Sequence, residues 1–235
     1  MAFETVSEDA WRLACKQYSE SIDSKVSSTK IHEYINDCRS WYWSDPERHR
    51  IGRKDILKAR REIVKIAFEK HQLGNEEKSN WLADKYSSIQ PTLWYIFPKV
   101  AQIIDILKQN KIKIGIVTNG TTTSQREKIK RFSLDSLFDF IFIEEEVGFG
   151  KPDVRIYETV LEKLGQKENV WMIGDDYVWD IEAAKKAGFK TIWINRNRKT
   201  IDDEMKSNID IMIYSIGELV EKQILNDRFI NERKL

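Results

Sequence analysis

The feature that most constrains this chain is a change of rhythm near residue 97. Beyond it, short apolar runs at 112–118, 138–143, 170–173 and 191–194, with a weaker one at 209–214, alternate with segments of helical character near 100–109, 122–131, 155–164, 181–187 and 217–224. Such alternation is met by a parallel sheet covered with helices, because each parallel strand needs a crossover to bring the chain back to the same edge. Sheets of this kind bind ligands where a strand ends and the chain turns into a loop or helix. Chemistry is therefore expected at the carboxyl ends of these runs.

Before residue 97 the period is helical and proline and glycine are scarce. Ser7, Glu8 and Asp9 supply a cap and early acids, and Ala10, Trp11, Leu13, Ala14, Tyr18 and Ile22 then recur at helical spacing, which predicts a helix over 8–21. A second helix is expected from 29 through Trp41, Tyr42 and Trp43, ending before Pro46 because the residue before a proline avoids helical geometry. A third covers 55–72, with Ile56, Leu57, Ile63, Val64, Ile66 and Ala67 on one side and Gly74 just past its end, and a fourth covers 75–86. Four helices on short loops predict a bundle at 6–93, separate from a sheet domain at 94–235. The charged segment 226–235 reads as a fraying terminus.

Composition excludes several classes. With 39 Lys plus Arg against 38 Asp plus Glu in 235 residues, the formal net charge is +1 and nothing draws the chain generally to nucleic acid or an anionic membrane. No run approaches the apolar length of a membrane span, and the first twenty residues mix charges with apolar side chains. No nucleic-acid or membrane partner is expected, and the cytoplasm is the expected compartment. Cys15 and Cys38 are too few for a disulfide framework and lack metal-ligand spacing with His32, His49 or His71, so both read as reduced, buried thiols.

Three strand ends carry chemistry. The run Gly115-Ile116-Val117-Thr118-Asn119-Gly120 ends in a hydroxyl, an amide and a glycine at the start of a helix, where backbone N–H groups and the Thr118 hydroxyl can donate to phosphate oxygens; equally, Thr118 and Asn119 can simply shape the turn. In Gly148-Phe149-Gly150-Lys151-Pro152-Asp153, Pro152 stiffens the segment and Asp153 can cap the next helix, so that Lys151 is held where an ammonium can meet both phosphate and a carboxylate; taken alone, a lysine before proline is an ordinary loop residue. Ile173-Gly174-Asp175-Asp176 leads to Asp180, and hard carboxylate oxygens at a strand end suit Mg²⁺. Asp175 is the first choice of ligand, while Asp176 reads better as an acid favoured by a helix dipole.

Taken in order, these three segments resemble motifs II, III and IV of the haloacid dehalogenase-like hydrolase superfamily, and the helical insert ahead of Thr118 resembles the cap of its subfamily I. The resemblance implies an α/β fold with a Rossmann-like parallel core and an inserted helical-bundle cap. It implies a Mg²⁺-dependent phosphatase of small phosphorylated metabolites, acting as a monomer or homodimer. It carries catalytic roles to Thr118 and Lys151, phosphate binding to Thr118, Asn119, Gly120 and Lys151, and Mg²⁺ binding to Asp175 and Asp180. In the family an aspartate at the end of the first strand attacks phosphorus to form an aspartyl-phosphate, and a second aspartate two residues later serves as acid and base.

No Asp-x-Asp occurs in these 235 residues. Phe3-Glu4-Thr5 leading to Ala10-Trp11 resembles the family's continuation from that motif into the first cap helix, so the expectation is a chain that begins just after its nucleophile and lacks the first core strand. Loss of that central strand removes on the order of ten backbone hydrogen bonds at about 1 kcal/mol each. Two readings are open: Met1 is an internal methionine and an upstream segment carries the strand, or the chain is a non-catalytic relative that binds phosphate and metal or acts as an interaction protein. A haloacid dehalogenase would use the same scaffold without an essential metal, and Asp175 near Asp180 favours the metal.

Substrate choice is expected from the cap, where Trp41, Tyr42 and Trp43 precede Arg48, His49, Arg50 and Arg53. Trp43, Arg48, Arg50 and Arg53 could stack on a base or sugar and grip an anion. The competing reading makes the aromatics bundle core and leaves the arginines in solvent.

Overall fold

A computed structural model describes residues 3–4, 7–21, 26–166 and 168–231. Thr5, Ile22 and residues 232–235, on which parts of the sequence reading fall, lie outside the described residues. The chain divides into two compact units, one spanning 3–95 and the other running from Ile96 to the carboxyl end.

In the first unit a two-residue strand β1 (Phe3–Glu4) precedes helices α1 (Ser7–Ser21), α2 (Ser28–Ser44), α3 (Pro46–Gly52), α4 (Ile56–His71) and α5 (Glu76–Ile89). Each of the last four is started by a side chain that accepts a backbone N–H left over at the first turn: Ser27 from Lys30, Asp45 from Arg48, Asp55 from Lys58 and Asn75 from Lys78. Pro46 does end α2, but a proline at the first helical position forfeits no hydrogen bond, so α3, absent from the sequence expectation, starts there with Asp45 as its cap. α4 closes on Gln72 in the left-handed conformation (φ 53°), ahead of the Gly74 that the sequence offered for this. The apolar faces meet around Trp11, Tyr18, Ile35, Ile63, Phe68 and Leu82, with the Trp11 and Tyr86 rings stacked at 3.8 Å. Cys15 and Cys38 are buried free thiols within this core, and burial pushes the Cys15 thiol up to about 12. β1 pairs with β2 (Tyr95–Ile96), a strand pair the helical reading missed.

The second unit runs α6 (Val100–Gln109), β3 (Gly115–Thr118), α7 (Thr122–Arg131), β4 (Phe140–Ile143), α8 (Glu144–Val147), α9 (Val154–Leu164), β5 (Trp171–Gly174), α10 (Ala183–Lys186), β6 (Lys190–Ile194), α11 (Asp203–Ser207), β7 (Ile211–Ile213) and α12 (Glu218–Glu221). All its strand pairings are parallel. β3 lies beside β4 with Thr118 opposite Ile143, and β5, β6 and β7 form a second group with Gly174 opposite Trp193 and Ile194 opposite Ile213. Among the described residues no strand joins β3 to β5. Both groups nevertheless share the α9 layer. Val117, Phe140 and Phe142 of the first group and Met172 of the second pack with Ile156, Tyr157 and Val160 of α9, while Trp171, Ile173, Ile192 and Ile194 pack with Ile103 and Leu107 of α6 and Leu219 of α12.

Several boundaries differ from the sequence reading. The run at 112–118 is strand only from Gly115, because the Ile114 N–H and carbonyl both turn to Asp139. α8 and α11 were not expected. The helix expected at 181–187 begins earlier, as a wide turn at Tyr177–Glu182 that continues into α10. The tail is also corrected through Asn231: residues Leu225–Asn231 are helical, Leu225 is buried, and the Phe229 ring lies 5.1 Å from Trp171. Apolar burial outweighs the local charge density there.

Candidate active site

The carboxyl ends of β3 and β5 and the loop before α9 bring the three sequence segments together. Thr118, Asn119 and Gly120 leave β3 half-buried. The Asn119 amide clamps the backbone of one residue of the distant loop: its Nδ2 donates to the Lys151 carbonyl at 2.6 Å and its Oδ1 accepts the Lys151 N–H at 2.8 Å. Gly150 makes this approach possible, since a Cβ there would stand 2.6 Å from Asn119 Oδ1 and 2.8 Å from Glu144 Cβ. The Lys151–Pro152 peptide is cis, and Asp153 caps α9, as its position in the sequence predicts.

So fixed, the Lys151 ammonium donates to Asp180 Oδ1 at 2.5 Å, with the two side chains 12% and 8% exposed. Asp180 Oδ2 accepts the Asp176 N–H at 3.1 Å. Burial by itself would raise the Asp180 carboxyl, but the charge and hydrogen bond of Lys151 outweigh it and hold the group below its ordinary range. The wide turn over Tyr177–Glu182 folds this carboxylate back across the end of β5. A Cβ on Gly174 would lie 2.2 Å from Asp180 Oδ2, so the glycine is required by close approach rather than by backbone conformation. Asp176 accepts the Trp179 N–H as helix cap, in keeping with its structural reading.

Asp175 differs from its neighbours. It is half-buried, its carbonyl accepts the Trp193 indole N–H at 3.2 Å, and its carboxylate has no hydrogen-bond partner among the described residues. A free carboxylate at a strand end fits a Mg²⁺ ligand, because the ion takes one or two protein carboxylates and fills its octahedron with water and phosphate oxygens. Asp180, also expected as a ligand, has one oxygen engaged by Lys151 and the other by a backbone N–H. The set thus offers one open carboxylate and one that orients a lysine. Among the described residues there is no group of three or more His, Cys, Asp or Glu able to hold a metal.

Two acids went unnoticed in the sequence. Glu144 Oε2 accepts the Gly120 N–H at 2.9 Å and Glu145 Oε2 accepts the Thr122 N–H at 2.6 Å, so carboxylates occupy donors expected to face phosphate. The Thr118 hydroxyl makes only a long contact, 3.4 Å, to the Asn119 carbonyl. The available signal was the run Glu144-Glu145-Glu146 directly after a strand, itself a carboxyl end of the sheet.

In the helical unit, the four residues proposed for substrate choice have local partners. Arg48 donates to the Trp41 and Tyr42 carbonyls and lies 3.9 Å over the Trp41 ring, closing the end of α2. Arg50 forms a two-pronged pair with Glu47 on the same helix. Arg53 sits at the end of α3 with its N–H on the His49 carbonyl, and Trp43 packs edge-on to Tyr42 against the bundle core.

A family model described as haloacid dehalogenase-like hydrolase matches residues 3–188. The glyceraldehyde 3-phosphate phosphatase of Methanothermobacter thermautotrophicus is 32% identical over 140 residues, covering 58% of this chain and 62% of that protein. The pyrimidine 5'-nucleotidase PynA of Streptococcus pneumoniae is 25% identical over 191 residues, covering 80% and 78%. The chain thus spans about three fifths of the length of the archaeal phosphatases it matches. Among solved structures, the magnesium-bound HAD-hydrolase YfnB of Bacillus subtilis aligns with a TM-score of 0.69 and 22% identity, covering 93% of this chain and 92% of that one, which is a likeness of fold. No described helix is long and apolar enough to cross a membrane.

Proposed function

Since this chain belongs to the haloacid dehalogenase-like hydrolases, we propose that it carries the phosphate- and metal-binding half of a Mg²⁺-dependent phosphomonoesterase for small phosphorylated metabolites. The observation that carries the reading is the buried Lys151–Asp180 pair set beside the open Asp175 carboxylate. A lysine held by a carboxylate stays charged and fixed, and can offset charge on a phosphoryl group without reorganising during transfer. The Thr118 hydroxyl, engaged only by its long contact, can turn to donate to a phosphate oxygen. Asp175 would hold the Mg²⁺, which when bound supplies further charge neutralisation at the phosphoryl oxygens. Relatives named as phosphatases support the substrate class.

Attack on phosphorus through an aspartyl-phosphate needs a carboxylate that no Asp-x-Asp in these residues supplies. The break in strand pairing between β3 and β5 supports placing that group on a strand between them. The test is phosphate release from p-nitrophenyl phosphate with Mg²⁺ and with EDTA, by the 235 residues and by a chain extended upstream in its own reading frame. Release only from the extended, Mg²⁺-loaded chain is expected. Silence from both, with folding verified, would move the function to the second reading, a binding or regulatory protein.

A further inference from the structure

At the carboxyl end of β6, residues 195–199 form a rigid cationic loop that neither the fold nor the phosphoryl site requires. Asn195, buried, closes it from within: its Nδ2 donates to the Lys199 carbonyl at 3.0 Å and its Oδ1 accepts the Lys199 N–H at 2.8 Å. The Arg198 N–H returns to the Asn195 carbonyl, and the Arg198 guanidinium lies 4.3 Å over Tyr214. Arg196 is stacked 3.8 Å over Phe97. Its Nη2 is buried and, among the described residues, hydrogen-bonded to nothing. No carboxylate among the described residues pairs with Arg196, Arg198 or Lys199, whereas Lys99, Arg126 and Lys185 in the same unit each have an acidic partner.

Arg196 and Lys199, with Asn195, Asn197 and Trp193, line a cavity of about 60 Å³ that reaches Asp175. At roughly 15 Å³ per water site, that is room for about four oxygens. A guanidinium presents planar donors in a fork matched to oxyanions, and stacking on an aromatic ring fixes its plane in advance. Asp175, the acid lining the same cavity, forms no ion pair with Arg196 and is set apart as the open carboxylate.

We propose that this cavity is an oxyanion subsite, with Arg196 the principal ligand and Lys199 adding charge, which receives a second anionic group, carboxylate or phosphate, on the portion of the substrate that is not transferred. Its existence as an anion site is independent of catalysis; its role as a substrate subsite rests on the phosphatase reading. The substrate class it selects is a phosphorylated compound with two anionic ends.

The test titrates the full chain with sodium sulfate and, separately, sodium acetate at constant ionic strength, following the arginine Nε–H resonances by NMR. Sulfate is expected to shift the Arg196 resonance saturably, Arg196→Gln to weaken overall sulfate affinity about tenfold or more, and Lys151→Gln to leave the Arg196 response within about twofold. Lys199→Gln, at the exposed end of the loop, provides a milder variant in which a loss of about threefold is expected. Tighter acetate than sulfate assigns the site to carboxylates, and the reverse to phosphate-like groups. Saturable sulfate binding that survives Arg196→Gln unchanged, or that disappears with Lys151→Gln in protein shown to be folded by its amide spectrum, would overturn the proposal, as would an Arg196 resonance unmoved by either anion. If hydrolysis fails but Arg196-dependent binding persists, the phosphatase reading alone falls; if hydrolysis holds and Arg196→Gln binds sulfate normally, this subsite alone falls.

Discussion

Lys151 and Asp180, 29 residues apart in sequence, form a nearly buried ion pair at 2.5 Å in which each group is placed by a different loop. Desolvating two charges is unfavourable, and what offsets it is the good geometry plus the Asp176 N–H on the second carboxylate oxygen. Removing either partner therefore leaves an uncompensated buried charge.

Asp180→Asn is expected to lower stability by about 3–5 kcal/mol at neutral pH, read from urea unfolding midpoints. The pH dependence has a definite sign. Because the folded carboxyl lies below its unfolded value of about 3.9, its contribution is present in full above that pH and is lost as the pH falls through the folded value. The native chain should lose stability in acid more steeply than Asp180→Asn below about pH 4. Parallel curves would show that Asp180 is not held by Lys151.

Gly174→Ala forces a methyl to within 2.2 Å of the Asp180 carboxylate. Overpacking of this kind costs about 1–3 kcal/mol, and the displaced carboxylate should release Lys151. The melting temperature and the ¹⁵N resonance of the Lys151 ammonium report the two effects separately. An unchanged ammonium resonance would contradict the close approach.

Asn119→Ala removes both hydrogen bonds to the Lys151 backbone, and a loss of about 1–3 kcal/mol is expected. Exchange of the Lys151 amide hydrogen should accelerate by about tenfold or more, since 1.4 kcal/mol corresponds to a factor of ten. Protection equal to that of the native chain would mean that the loop is held by other contacts.

Mg²⁺ is expected to raise the melting temperature of the chain, and Asp175→Asn to abolish that rise while leaving the metal-free melting temperature close to native, because the carboxylate bonds nothing else among the described residues. A Mg²⁺ shift that survives Asp175→Asn would move the ligand elsewhere. A metal-independent dehalogenase reading gains if no Mg²⁺ response occurs in any active form.

The sequence went further with segments than with partners. It located α6 and α7 to the residue and four of the five core strands to within two residues at both ends, because hydrophobic period and helix caps are local properties. It also marked Thr118, Lys151, Asp175 and Asp180 as chemistry at strand ends. It put Asp175 first as metal ligand with Asp180 in support, but residue type and spacing could not show that Asp180 is engaged by Lys151 and the Asp176 N–H while Asp175 is open.

What the sequence determined by itself was therefore the division into a helical and a parallel-sheet part, the positions of the strand ends, and the absence of any Asp-x-Asp from these 235 residues. The tertiary structure decided which groups meet. Asn119 clamps the Lys151 backbone, Glu144 and Glu145 take backbone donors expected to face phosphate, Phe229 packs a tail that reads as polar, and Arg196 is stacked on Phe97 beside a cavity it shares with Asp175. These pairings depend on crossings between segments distant along the chain, and such crossings leave no mark in any local window because their energy arises only when the sheet and its layers are assembled.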